Sequence, residues 1–181
     1  MFRSKKCNDF SGLKVISRDI HLDNRGYFLK IFDQAELKKF GWKGSIKQIN
    51  LSETYERGSV RGMHMQLYPF SEFKLITCIR GSVFDVVLDL RKNSKSFLKY
   101  YSIELNQEDN KSLLVPPGFA HGFQALEDKS QLIYAHSKEY KKDFESGCNL
   151  NDPAINIRWP LKLRNLSEKD IQLPLVKDIK F

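Results

Sequence analysis

The stretch Ser82-Val83-Phe84-Asp85-Val86-Val87-Leu88-Asp89-Leu90 decides the fold class. Side chains alternate along an extended chain, so Phe84, Val86, Leu88 and Leu90 share one face and Val83, Asp85, Val87 and Asp89 the other. One face meets a core, and the aspartates suit the other to line a polar cavity. Short alternating apolar runs recur between residues 44 and 140, broken by turn-rich clusters at 55–59 (YERGS), 91–96 (RKNSKS), 106–112 (NQEDNKS) and 127–130 (EDKS). Spacing of this kind predicts an antiparallel sandwich or barrel, and the strand–helix alternation of a parallel sheet is absent. Short helices belong at the periphery. Asp33 is placed to cap QAELKKF, in which Leu37 and Phe40 share a face before Gly41 stops it. Ser167, three residues before Asp170, resembles a capping box with it. No internal repeat, linker or low-complexity tract interrupts the chain, so residues 1–181 are expected to form a single all-β domain.

Composition narrows the function. With 181 residues, 41% of them hydrophobic and 12% aromatic, the chain has material for one sizeable core. No apolar run approaches the roughly 18 residues of a membrane span. The opening MFRSKKCNDF lacks the apolar stretch of a secretory signal, so the chain reads as cytoplasmic. Cys7, Cys78 and Cys148 are odd in number, widely spaced and without a CxxC pair, which argues against a disulfide framework or a zinc site. The net charge of +8 calls for an anionic partner. Nucleic acid, an anionic membrane face and phosphorylated metabolites all qualify; lysines and arginines are spread along the chain and form no helical stripe, which argues against nucleic acid, and a small diphosphate-bearing ligand explains the charge as well.

Two of the four histidines sit in unusual company: His64 in Arg61-Gly62-Met63-His64-Met65-Gln66, and His121 in Pro116-Pro117-Gly118-Phe119-Ala120-His121-Gly122-Phe123. His21 and His136 lie in polar stretches, where a solvated imidazole is expected. The Pro-x-Gly-x-x-His spacing ending at His121 resembles the second signature of cupin barrels, in which the turn aims the histidine into the barrel. Metal-binding cupins add His-x-His and a glutamate. Here Gln66 stands in place of the second histidine and Glu72 is displaced, which leaves too few good ligands. No metal and no other cofactor is expected, and His64 is free to act as a base, the usual role of an imidazole.

Asp23-Asn24-Arg25-Gly26, Gln48-Ile49-Asn50-Leu51-Ser52, the His64 segment, Lys74-Leu75, Gly81 to Val86, Asp89-Leu90-Arg91, the His121 segment, Tyr134, Asn151-Asp152-Pro153 and Trp159-Pro160 follow one another in order. Together they resemble the dTDP-4-dehydrorhamnose 3,5-epimerase family over roughly residues 20 to 175. The resemblance implies a cupin-type jelly-roll barrel with a few short peripheral helices, a homodimer, and epimerisation of a nucleoside-diphosphate 4-keto sugar in polysaccharide precursor synthesis. The ketone acidifies the protons on C3 and C5, and inversion needs a base on one face of the ring and an acid on the other. By resemblance His64 is the base, Tyr134 the acid, and Lys74 the cation beside the enolate oxygen. His121 is a second histidine of the catalytic wall. Asp170 orients an active-site histidine, although local sequence alone makes it the N3 acid of a helix cap, and Asp85 also supports the histidines. Arg61 and Arg25 match phosphate-contacting positions, where a guanidinium fork fits paired oxygens. Gln48 and Asn50 line the cleft, and Phe28 and Tyr140 stack the base.

The chain departs from the family at Lys30, where a glutamate is usual two residues past Phe28. A carboxylate accepts the N3 proton of thymine, whereas an ammonium only donates and suits the O6 or N7 edge of guanine. The segment Leu67 to Phe73 departs too. A GDP-linked 4-keto heptose therefore stands beside a dTDP-linked hexose as substrate. The other readings are a C3-only epimerase, a metal-dependent cupin and a non-catalytic sugar-binding cupin.

Overall fold

The computed structural model describes residues 1–179. In chain order the strands are β1 (Phe2–Lys6), β2 (Lys14–Arg18), β3 (His21–Asp23), β4 (Gly26–Phe28), β5 (Gln48–Thr54), β6 (Val60–Gln66), β7 (Lys74–Arg80), β8 (Ser82–Asp89), β9 (Tyr100–Asn106), β10 (Lys111–Val115), β11 (Phe119–Ala125), β12 (Ser130–His136) and β13 (Glu145–Gly147). Two short α-helices, α1 (Gln34–Lys39) and α2 (Glu168–Ile171), and two single-turn 3-10 helices (Lys142–Phe144 and Val176–Asp178) lie outside them among the described residues. The strands form a six-stranded sheet in the order β1-β2-β10-β7-β12-β5, a five-stranded sheet in the order β13-β6-β11-β8-β9, and the separate hairpin β3-β4. The two large sheets pack face to face as a cupin-type jelly roll.

Strand β8 behaves as its alternation requires, but both of its faces are buried. Val83 and Val87 enter the core between the sheets with Ile76, Leu113, Phe119, Phe123 and Leu132. Val86, Leu88 and Leu90 pack on the opposite face against Cys148, Ile155, Val176 and Ile179 of the C-terminal segment. The outer face of the six-stranded sheet is covered by α1, whose Leu37 joins Trp42, Ile16, Leu75 and Leu114. Asp33 caps α1 by accepting the Glu36 N–H, and Gly41 follows at φ +104°.

The inter-sheet core fills one end of the sandwich, and the other end opens as a cleft. Strands β6 and β11 come unusually close there, with His64 and His121 as register partners. Gly122 makes that approach feasible: a Cβ on it would lie 2.6 Å from Met63 Sδ and 2.8 Å from the Arg61 carbonyl. Among the described residues no helix is long and apolar enough to cross a membrane. Cys7, Cys78 and Cys148 are buried free thiols.

Candidate active site

The cleft has a volume of about 780 Å³, within the usual range of small-molecule sites, and its walls come from both sheets. Strand β6 contributes Arg61 and His64, and β11 contributes His121. From the six-stranded sheet come Lys74 on β7, Tyr134 and His136 on β12, and Gln48, Asn50 and Ser52 on β5. The period-2 alternation of the strands selects these sets. Tyr134 pairs with Ile76 and Asn50, and His136 pairs with Lys74 and Gln48, so all of the polar members share one face.

His64 Nε2 lies 2.7 Å from Asp170 Oδ1. An ionised carboxylate can only accept, so Nε2–H donates and the ring's lone pair resides on Nδ1. Asp170 also accepts the Gly62 N–H at 3.4 Å. Its own N–H donates to Ser167 Oγ, so the serine caps α2 as the sequence suggests while the aspartate side chain leaves the helix for His64. Burial pushes the Asp170 carboxyl up, but the bonds from His64, Gly62 and Ser167 outweigh it and hold the group below the usual carboxylate range. His121 Nε2 makes the equivalent contact with Asp85 Oδ2 at 2.8 Å. Asp89, on the same strand, turns away to Arg91, Ser94 and Ser96 and has no part in the cleft.

Across the cleft, Tyr134 Oη and Ser52 Oγ are 2.9 Å apart. Burial drives the phenol pKa well above its ordinary value, with the Asp85 charge adding to the effect against the Ser52 hydrogen bond. Tyr134 therefore keeps its proton across the neutral range and can serve as an acid. Lys74 points inward from the same sheet with its side chain 12% exposed. Burial lowers its pKa, opposed mainly by the Glu72 carboxylate 3.6 Å away.

Not every residue expected in the site is there. Gln48, Asn50, Arg61 and Tyr140 line the cleft. Gln48 Oε1 accepts the Tyr140 N–H at 3.1 Å, and Arg61 is steadied by Thr54 Oγ1 and the Glu53 carbonyl. Arg25, Phe28 and Lys30 lie outside it. Arg25 is tied to Asp23 on the exposed β3-β4 hairpin, Phe28 is solvent-facing, and Lys30 donates to the helix-capping Asp33 at 3.0 Å. His136 corrects the expectation of a solvated imidazole: it and Glu72 are both buried, 3.1 Å apart, and line the cleft. The alternation Tyr134, His136 and the series 48, 50, 52 are the signals that place His136 and Ser52 here. Among the described residues no group of three or more His, Cys, Asp and Glu is arranged to hold a metal ion.

The two-sheet architecture and its cleft place the chain among cupin-type jelly-roll proteins. Within that class the family model for dTDP-4-dehydrorhamnose 3,5-epimerase matches residues 8–178, and the chain belongs to this family of isomerases. A dTDP-4-dehydrorhamnose 3,5-epimerase of Shigella flexneri is 40% identical over 150 residues, covering 82% of each chain. The crystal structure of a Bacillus anthracis enzyme of that name, with TDP and PPi bound, superposes with a TM-score of 0.91 at 34% identity, covering 97% of this chain and 99% of the other. A Legionella pneumophila dTDP-6-deoxy-D-glucose-3,5-epimerase in complex with dTDP-4-keto-L-rhamnose gives 0.92 at 30% identity, covering 99% and 95%.

Proposed function

We propose that this protein inverts C3 and C5 of a dTDP-linked 4-keto-6-deoxy hexose without a cofactor, in the making of a polysaccharide precursor. The observation that carries this reading is the placement of two proton-transfer groups on opposite sheets of one cleft: His64 backed by Asp170, and the buried phenol of Tyr134. His64 Nδ1 takes the proton from the carbon beside the ketone, and the electron pair moves onto the carbonyl oxygen as an enolate. Lys74, with its side chain nearly enclosed, offsets that charge where a fixed cation counts for more than in bulk solvent. Tyr134 returns a proton from the other face, which inverts the carbon. His121, held by Asp85, lines the His64 side of the cleft.

Arg61 at the rim would take the diphosphate, with Gln48 and Asn50 as neutral partners and Tyr140 against the base. Arg25, Phe28 and Lys30 complete the nucleotide site when the hairpin of a second copy reaches the cleft. Support for a homodimer comes from exposed Leu22, Tyr27 and Phe28 on the hairpin and Ile49 and Leu51 on strand β5, an apolar surface suited to a partner. Family membership favours thymidine. Lys30 favours a second reading, a GDP-linked 4-keto heptose.

Incubation in deuterium oxide with dTDP- and GDP-linked 4-keto sugars tests the reading. Deuterium at both carbons of the dTDP sugar is the expected result. Label at C3 alone would make the protein a monoepimerase, and no label from either nucleotide series would overturn the assignment.

A further inference from the structure

The cleft holds a third imidazole–carboxylate pair. His136 Nδ1 lies 3.1 Å from Glu72 Oε2, and the other glutamate oxygen, Oε1, lies 3.6 Å from Lys74 Nζ. All three side chains are nearly enclosed, with exposures of 5% for Glu72, 10% for His136 and 12% for Lys74. An ionised glutamate can only accept, so His136 carries its proton on Nδ1, Lys74 is held as an ion-pair partner, and His136 Nε2 faces the Asn50 amide at 3.4 Å. The loop bearing Glu72 is stapled to the strand end bearing His136. Phe73 N–H donates to Ser137 Oγ at 2.8 Å, and Ser137 N–H donates to the Phe73 carbonyl at 3.0 Å.

We propose that Glu72, anchored by His136, is a positioning residue that keeps Lys74 protonated and aimed at the oxygen on which the enolate forms. The proposal rests on the epimerase reading above. A buried ammonium loses its hydration, and without an adjacent carboxylate its neutral form is favoured. Glu72 supplies that carboxylate at the closest range. Glu145 lies farther off and is engaged by Tyr140 and Lys169 at 2.6 Å each. The remaining neighbours do not substitute for Glu72: Lys74 donates to the uncharged His64 carbonyl at 3.4 Å, and His136 is its register partner across the β7-β12 ladder. Burial lowers the Lys74 pKa, and Glu72 is the largest influence opposing it.

The test compares wild type with Glu72→Gln, Glu72→Asp and His136→Asn. The Lys74 ammonium is followed by NMR of isotope-labelled lysine without substrate, and kcat, KM and the pH–rate profile are measured with the 4-keto sugar. In Glu72→Gln the Lys74 titration and the alkaline limb of kcat both move to lower pH, and kcat at neutral pH falls about tenfold or more with little change in KM. Glu72→Asp restores the charge and recovers part of kcat. An unchanged Lys74 titration with an unchanged alkaline limb in folded Glu72→Gln overturns the proposal. Should that variant not fold, His136→Asn carries the test, and an unmoved limb there overturns it equally. The titration is read without turnover, so a wild type that exchanges no substrate protons would sink the epimerase reading and remain distinct from a failure of positioning.

Discussion

His64 and Asp170 stand 106 residues apart in sequence and touch at 2.7 Å, the histidine on a strand and the aspartate in the first turn of a four-residue helix. The contact fixes the tautomer of the ring, because the carboxylate claims Nε2–H and leaves Nδ1 as the proton acceptor. A helix turn too short to be stable by itself is thereby held against β6, by this contact and by the Gly62 N–H.

Replacing Asp170 by Asn keeps an oxygen for Nε2–H but removes the charge. kcat should fall by about two orders of magnitude while the fold persists. The folded-state carboxyl is held below its ordinary range, so its stabilisation is complete above about pH 4 and is lost as pH falls through the lowered value. Urea unfolding should show the variant less stable than wild type by roughly 1–3 kcal/mol at pH 7, with the gap narrowing in acid. A gap that stayed constant down to pH 2 would contradict the assigned charge state.

His64→Asn and Tyr134→Phe should each slow solvent deuterium exchange by about 100- to 10,000-fold. Tyr134→Phe removes only the hydroxyl bonded to Ser52, so its stability cost is about 1 kcal/mol, visible as a small drop in Tm. Exchange at both carbons that survived either substitution at the wild-type rate would show that the proton carriers lie elsewhere.

The alkaline side of the pH–rate profile belongs to Lys74. Its pKa is lowered by burial while that of Tyr134 is raised by burial, so the ammonium loses its proton first. The rate should decline below the ordinary lysine range near 10.4. In Lys74→Arg, which stays charged, that decline should vanish even though kcat is lower.

Gly122→Ala places a methyl group against Met63 Sδ and the Arg61 carbonyl, in a strand flanked on both sides. The neighbours are backbone and buried core, so the expected loss is about 1–3 kcal/mol of stability. Activity should drop too, since the spreading strands carry His64 and His121. Thermal melting together with the exchange assay checks both effects.

Lys30→Glu exchanges a donor for an acceptor at the position proposed above to meet the base, and it removes the ion pair with Asp33. If Lys30 selects guanosine, the substitution should raise KM for the GDP-linked sugar and lower it for the dTDP-linked one. Equal KM values before and after would show that residue 30 does not read the base.

Much of this was legible in sequence where the governing rules are local. The cap of α1 at Asp33, the cap of α2 at Ser167 and the alternation of Val83 to Leu90 each follow from a few neighbouring residues. His64, His121, Tyr134, Lys74, Gln48, Asn50 and Arg61 emerged from an ordered set of motifs, and the cleft gathers them. His136 reads as solvated in sequence because Ser137 and Lys138 make its surroundings polar, whereas its partner Glu72 is 64 residues away and only the fold brings the two together. Arg25, Phe28 and Lys30 show the opposite limit, since a motif match does not reveal that the hairpin of Arg25 and Phe28, and Lys30 just beyond it, lie outside the cleft of the same chain.

His64 and Tyr134 belong to different sheets, so the thickness of the sandwich sets how far apart the strands that carry base and acid stand. Facing sheets keep a separation of about 10 Å, set by the side chains that fill the far end of the core. The barrel works as a caliper: core residues such as Ile76, Val87 and Leu132, which do not line the cleft, gauge the ring that fits between the jaws. Trimming them would retune substrate size without altering any group that carries a proton.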